Sequence, residues 1–198
     1  APEHPFPAGV EDAWDATTWC SEHAAELGGD ASRLIVAGDS AGATFSAVLA
    51  QQARDEGGPP IALQVLIYPA TDLTRETDSY LRNAQGFMLT AAALRWFIER
   101  YVPDPAQRSD WRASPLLRPS LKGVAPALII SAEHDPLVDE NEAYAKRLVA
   151  DGVPTEYVCF AGMIHPFFTL GAVIDEAAEA EDLIARSIAA LSMAQRAT

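Results

Sequence analysis

The sequence has few cysteines and few basic residues, and each shortage excludes a class of protein. Its two cysteines, Cys20 and Cys159, match neither a zinc-ligand spacing nor a disulfide framework. Fourteen Lys and Arg residues stand against 28 Asp and Glu residues, a net charge of −14, so the sequence predicts no nucleic-acid partner. We interpret the acidity as a solubility feature. We expect a buried thiol at Cys159 and a reducing, cytoplasmic environment.

Long apolar runs are also absent. The longest ones, such as 126–132, are far shorter than the ~18 residues that a membrane-spanning helix needs, so we expect no membrane span. The first residues show no basic start followed by an apolar block, and we expect no signal peptide. Hydrophobic residues still make up 49% of the 198 residues, which is sufficient for one folded domain, 1–198.

Apolar patterns predict strands and helices that alternate along the chain. Short continuous runs favour buried strands at 33–38, 61–68, 127–131 and 155–160. Amphipathic patterns favour helices at 10–27, 43–56, 90–101, 138–151 and 174–194. This alternation is typical of an α/β fold, a parallel sheet of about four strands with helices on both faces. In such sheets chemistry gathers where the strands end.

One segment departs from the alternation. Residues 70–125, between Pro69 and Pro126, hold about two helices' worth of sequence, which is too long for a single crossover. Two interpretations stay open. The segment is either part of a lid or pocket wall over the strand ends, or an ordinary helical excursion.

A glycine-flanked serine follows the first predicted strand. The stretch 38–42, GDSAG, fits G-x-S-x-G, which forms a strained turn that lifts a nucleophilic serine, here Ser40, above the sheet edge. Glycines on both sides, Gly38 and Gly42, avoid clashes where the backbone doubles back. The N–H groups of the next helix then stabilise a developing oxyanion. The alternative is a turn that binds phosphate or only packs, but neither a dinucleotide fingerprint nor a P-loop is present.

A nucleophilic serine needs a base, and the base needs an orienting acid. The expected chain order is serine, acid, histidine, with each partner after a later strand. Asp135 follows the third predicted strand, and its alternative role is the N-cap of the next helix. His165 follows the fourth, and its alternative role is that of a packed core residue. Because the three occur in the required order, the sequence predicts a triad of Ser40, His165 and Asp135.

Two further carboxylates, Asp139 and Glu140, lie a turn beyond the predicted acid. Their place at the start of a predicted helix suits the positive end of the helix dipole.

Six segments resemble a known family. "APEHPFPAGVEDAW", "GDSAG", "YPATDL", "ASPLL", "DPLVDE" and "GMIHPFF" are similar to the hormone-sensitive lipase family of α/β-hydrolases, in its bacterial GDSAG esterase branch. The resemblance covers nearly the whole chain. It implies Ser40 as nucleophile, His165 as general base, Asp135 as orienting acid and the backbone N–H of Ala41 as oxyanion donor. It also implies hydrolysis of short- to medium-chain acyl esters without a metal or organic cofactor.

The sequence departs from that family in three places. Ala43 stands where a further glycine is common, and Pro166 stands where glycine is usual. The His-Gly-Gly-Gly segment, which supplies the other oxyanion donors, does not occur. We therefore expect the C-terminal two-thirds of a longer family member, a partial α/β-hydrolase fold with only part of the lid. We expect it to be a poor catalyst that associates with further copies through an exposed sheet edge at 33–38.

Apolar residues near the strand ends are candidate walls of a substrate pocket, with core packing as the alternative. They are Phe87, Met88, Leu89, Phe167 and Phe168. The expected partner is a small-molecule ester. Two other functions stay open: a non-catalytic ligand-binding or inactive truncated member of the fold, and a peptidase or acyltransferase with the same triad.

Overall fold

Four strands form one parallel sheet in the computed structural model, which describes residues 1–194. The strands are β1 Leu34–Asp39, β2 Ile61–Ile67, β3 Ala127–His134 and β4 Thr155–Ile164. They lie in the order β1-β2-β3-β4, and every neighbouring pair is parallel. This confirms the predicted sheet. Within the described residues β1 and β4 form its two edges, and the last four residues of the predicted domain, 195–198, lie outside this part.

Helices precede, connect and follow the strands. In residues 1–194 they are α1 Ala8–Glu22, α2 Ala41–Glu56, α3 Asp78–Arg82, α4 Ala91–Tyr101, α5 Val138–Ala150 and α6 Asp175–Ala194. Short 3-10 turns occur at Ala31–Arg33, Pro105–Ser109, Pro115–Leu117 and Phe167–Leu170. No helix of this part is both long and apolar enough to cross a bilayer.

Hydrophobic cores cover both faces of the sheet. On one face Leu66 and Ile129 pack with Tyr144 of α5 and with small residues of α2. On the other face Val65 packs with Ala180 of α6. Successive side chains leave a strand on opposite sides, so the neighbours Val65 and Leu66 belong to different cores. Each buried strand therefore reads as a continuous apolar run.

The long excursion 70–125 contributes to the interior and to the surface of a cavity. Tyr101 and Trp111 pack against a third core that contains Phe6 and Val102. Helix α4 and the loop before it line the cavity described below. A role for this segment as part of a lid stays a prediction.

The side chain of Cys159 differs from its prediction. Cys159 is exposed, whereas the sequence predicts a buried thiol. The residues around Cys159 do form a strand, β4. Within the described residues β4 lies at an edge of the sheet, and only part of its side chains are covered. The prediction for Cys159 is therefore wrong.

Candidate active site

Ser40 lies in a strained turn between β1 and α2. Its φ is 51° and its ψ is −116°, a backbone conformation that residues other than glycine rarely adopt. Its N–H donates to the carbonyl oxygen of Ile67 at 2.8 Å, so the turn is attached to the end of β2. Helix α2 begins at Ala41, whose N–H therefore lies at the positive end of the helix.

The described residues require glycine on only one side of this turn. A Cβ on Gly38 would overlap the carbonyl carbon of Gly42 and lie 2.8 Å from the nitrogen of Ala43. A Cβ on Gly42 would meet no described atom within 4 Å. The predicted steric requirement for glycine is thus confirmed at Gly38. The same prediction is wrong for Gly42.

Three polar side chains converge where the strands end. His165 Nε2 lies 3.1 Å from Ser40 Oγ, and His165 Nδ1 lies 2.7 Å from Asp135 Oδ2. Each of the three residues directly follows a strand, β1, β3 or β4, and the carboxyl ends of these strands share one edge of the sheet. A hydroxyl, an imidazole and a carboxylate are therefore in contact, in the sequence that proton transfer from a serine requires.

Asp135 is completely buried, and protein groups hold both of its carboxylate oxygens. Its exposed fraction is 0%, and Oδ1 accepts the N–H of Leu137 at 2.9 Å. Asn83 Nδ2 donates to its backbone carbonyl at 3.0 Å. Helix α5 is capped at Leu137 rather than at Asp135, so the alternative N-cap role is not observed. The carboxylate is fixed toward the imidazole of His165, where water does not compete for it.

Tyr68 is a site residue that the sequence pattern does not single out. It directly follows β2 with a φ of 40°, and its ring centroid lies 4.3 Å from that of His165. Burial, with the negative charges of Asp39 and Asp135, raises the pKa of its hydroxyl. That hydroxyl has no hydrogen-bond partner among the described residues. The useful signal is position, since the end of β2 is another strand end at the same sheet edge.

A mostly apolar cavity of about 820 Å³ includes Ser40 and His165 in its wall. Of the predicted pocket residues, Met88 and Leu89 line it. The pattern misses further apolar wall residues from α2, α4 and the connecting loops. They include Phe45, Leu73, Trp96, Phe97 and Leu137.

The other predicted pocket residues lie elsewhere. Phe167 is completely buried in the core that α6 covers, and Phe168 packs against the same core. Both belong to a 3-10 turn that packs on α6, so they are core residues instead of pocket walls. Phe87 stacks on the ring of His134, with centroids 5.1 Å apart and planes 3° apart, and is not a wall residue either.

This combination of turn, contacts and sheet is the arrangement of a serine hydrolase with an α/β fold. Within residues 1–194, no three His, Cys, Asp or Glu side chains are grouped so as to hold a metal ion. A family model described as the alpha/beta hydrolase fold matches residues 1–169. The chain belongs to this family.

Known proteins with similar sequences and structures include esterases. Carboxylesterase NlhH of Mycobacterium tuberculosis is 44% identical over all of this chain and 62% of its own length. Ethyl acetate hydrolase of Pseudomonas putida is 43% identical over 90% of this chain and 57% of its own. The solved structure of a Pyrobaculum calidifontis esterase has a TM-score of 0.93 at 43% identity, over 98% of this chain and 64% of that one.

These similarities confirm the predicted α/β-hydrolase fold. The chain spans less than two thirds of the length of the relatives named above. Membership of the hormone-sensitive lipase branch stays a prediction.

Proposed function

We propose that the chain is the triad-bearing part of a carboxylic ester hydrolase that acts on short- to medium-chain acyl esters. The observation that carries the proposal is the continuous contact from Ser40 through His165 to buried Asp135, at 3.1 and 2.7 Å. Relatives named carboxylesterase and ethyl acetate hydrolase support the reaction class and the short end of the acyl range.

In the first half of the proposed reaction, Ser40 Oγ attacks the acyl carbonyl carbon while its proton moves to His165 Nε2. The carboxylate of Asp135 stabilises the imidazolium that forms, and the N–H of Ala41 donates to the oxyanion. The tetrahedral intermediate then collapses. The bond to the alcohol oxygen breaks, His165 Nε2 gives that oxygen its proton, and an acyl group remains on Ser40.

In the second half, water attacks the acyl group and gives a proton to His165 Nε2. Collapse of the new intermediate breaks the bond to Ser40 Oγ, which recovers the proton, and releases the carboxylic acid. The scheme consumes one ester and one water. The apolar cavity accommodates the acyl chain, and its volume of about 820 Å³ lies within the range of small-molecule pockets.

The assignment of the nucleophile is tested with p-nitrophenyl butyrate. We expect Ser40→Ala to lower kcat by at least about 10³-fold, because the residues of a triad act as one unit. Ser32→Ala, a change at an exposed serine in the turn before β1, is the matched control and should keep the parent rate. Equal hydrolysis by the parent and Ser40→Ala would contradict the proposal.

We infer further that these 198 residues, when tested on their own, hydrolyse esters slowly. The sequence supplies Ala41 as oxyanion donor but no His-Gly-Gly-Gly segment, and each missing donor costs about 10²–10³ in rate. In residues 1–194, strand β1 lies at a sheet edge, a favourable place for pairing with a further copy. Ester kinetics test the rate, and fast turnover would contradict the first inference. Analytical ultracentrifugation tests the pairing, and a monodisperse monomer would contradict the second.

A further inference from the structure

Glu140 is a buried carboxylic acid that the proposed reaction does not use. It lies in the first turn of α5, and its exposed fraction is 2%. One carboxyl oxygen accepts the backbone N–H of Thr71 and, at 3.4 Å, that of Asp72. The backbone carbonyl of Glu140 accepts the hydroxyl of Thr71 at 3.1 Å. A single residue of α5 therefore holds the loop that follows β2.

The next residue of α5 holds the same loop. Asn141 Nδ2 donates to the carbonyl oxygen of Pro69, so consecutive helix residues attach both ends of the 69–72 loop. The loop is also joined to α2, since the Thr44 hydroxyl donates to the carbonyl oxygen of Ala70 at 2.8 Å. Ala70 itself lines the cavity.

The segments next to the 69–72 loop and next to the start of α5 both contact His165. The loop begins directly after Tyr68, whose ring packs on the imidazole. Leu137, directly before α5, donates its N–H to Asp135, and Asp135 Oδ2 lies 2.7 Å from His165 Nδ1. His165 thus contacts both Tyr68 and Asp135, and the hydrogen bonds between the 69–72 loop and α5 connect the segments that carry these two residues.

We propose that Glu140 is a positioning residue of the hydrolase: its hydrogen bonds to the 69–72 loop set the spacing between Asp135 and Tyr68, and so the orientation of His165. The inference rests on the proposed function. Glu140 acts through the loop and touches neither the substrate nor the reacting atoms.

The charge state of Glu140 decides which variant is the conservative one. Burial raises its pKa to about 8, the backbone N–H donors oppose this, and the negative charges of Asp72 and Asp135 add to it. Burial chiefly raises the pKa of the neighbouring Tyr80, to about 12, and the charge of Glu140 is a smaller cause of that shift. The carboxyl group is therefore mostly neutral at pH 7, and a glutamine keeps both its shape and its acceptor oxygen.

Three variants at this position separate acceptor geometry from the presence of an acid. Glu140→Gln keeps the acceptor, Glu140→Ala removes it, and Glu140→Asp keeps the acid but withdraws it by one methylene. Glu142→Gln, at a half-exposed α5 residue that pairs with Lys146, is the matched control. The readouts are kcat and KM for p-nitrophenyl butyrate, and the far-downfield proton NMR signal of the hydrogen bond between His165 and Asp135.

We expect Glu140→Gln and the control to keep kcat within about threefold and to keep the NMR signal. Glu140→Ala and Glu140→Asp should lower kcat by about 10- to 100-fold, because misplacement of a group such as His165 by about 1 Å costs up to about 10² in rate. The NMR signal should weaken in both variants, while KM changes by less than about threefold. A merely structural role would lower the amount of folded protein without changing the signal of the folded fraction.

Folded Glu140→Ala with the parent kcat and signal would overturn the positioning role, as would Glu140→Gln that loses as much as Glu140→Ala. If Glu140→Ala does not fold, Glu140→Asp decides in the same way. A parent without ester turnover would contradict the proposed function instead. The NMR signal requires no substrate, so it tests the positioning role even then.

Discussion

The backbone N–H of Ser40 donates a 2.8 Å hydrogen bond to the carbonyl oxygen of Ile67, the last residue of β2. This bond attaches the strained serine turn to the strand whose next residue, Tyr68, packs on His165. The position of the hydroxyl therefore depends on the backbone of the sheet, and substitutions that disturb the turn should affect reactivity before they affect the fold.

Gly38→Ala should impair the reactivity of Ser40. A Cβ at this position overlaps the carbonyl carbon of Gly42, so the turn must move, and we expect a fluorophosphonate to label Ser40 at least about 10²-fold more slowly. Gly42→Ala is the control, because its Cβ meets no described atom within 4 Å and alanine favours helix by about 1 kcal/mol over glycine. Labelling of Gly38→Ala at the parent rate would show that the turn tolerates a side chain.

Asp135→Asn should lower kcat by about 10⁴-fold with the fold intact, because an amide leaves the imidazole in the wrong tautomer. Asp139→Asn, one turn further along and paired with Arg82 at 3.0 Å, is the control and should stay within a few fold of the parent. The measurement is kcat for p-nitrophenyl butyrate, with circular dichroism as the check on folding. Equal losses in the two variants would argue against a specific role for Asp135.

The stability of the chain should depend on pH through Glu140. Its pKa is raised from 4.5 to about 8 by burial, so between these values the folded state binds more protons at this group than the unfolded state. This contribution to stability is therefore complete below about pH 4.5 and is lost as the pH rises toward 8. Compared with Glu140→Gln, the thermal midpoint of the parent should fall across this window. Parallel curves for the two proteins would contradict the prediction.

Substitutions of Tyr68 should separate the role of its ring from that of its hydroxyl. Tyr68→Phe removes a buried hydroxyl that has no partner among the described residues, so kcat and stability should be unchanged or slightly higher. Tyr68→Ala leaves a cavity beside His165 and should cost about 3–5 kcal/mol of unfolding free energy and lower kcat. Urea denaturation and ester kinetics measure both effects. A large loss in Tyr68→Phe would mean that the hydroxyl has a function of its own.

The sequence allows the sheet and the order of its site residues to be predicted because a parallel strand covered on both faces is a continuous apolar run. Ser40, Asp135 and His165 could each be located as polar residues directly after such a run. The direction in which short apolar segments face was not predictable. Phe167 packs in the core, whereas Leu89 lines the cavity, and composition does not distinguish the two.

Glu140 shows the same limit for a charged residue. The sequence places it at the start of a helix, where the dipole favours a carboxylate. Its burial depends on the N–H groups of Thr71 and Asp72, which a tertiary contact across 68 or 69 positions brings to it. No local pattern records such a contact.

We propose that Ser40, His165 and Asp135 act as one catalytic unit. The most direct test of this proposal is mass-spectrometric mapping of the fluorophosphonate adduct on the parent and on His165→Ala. We expect a single adduct, on Ser40 of the parent, and labelling of His165→Ala slower by at least about 10³-fold. An adduct on another residue, or equal labelling rates for the two proteins, would contradict it.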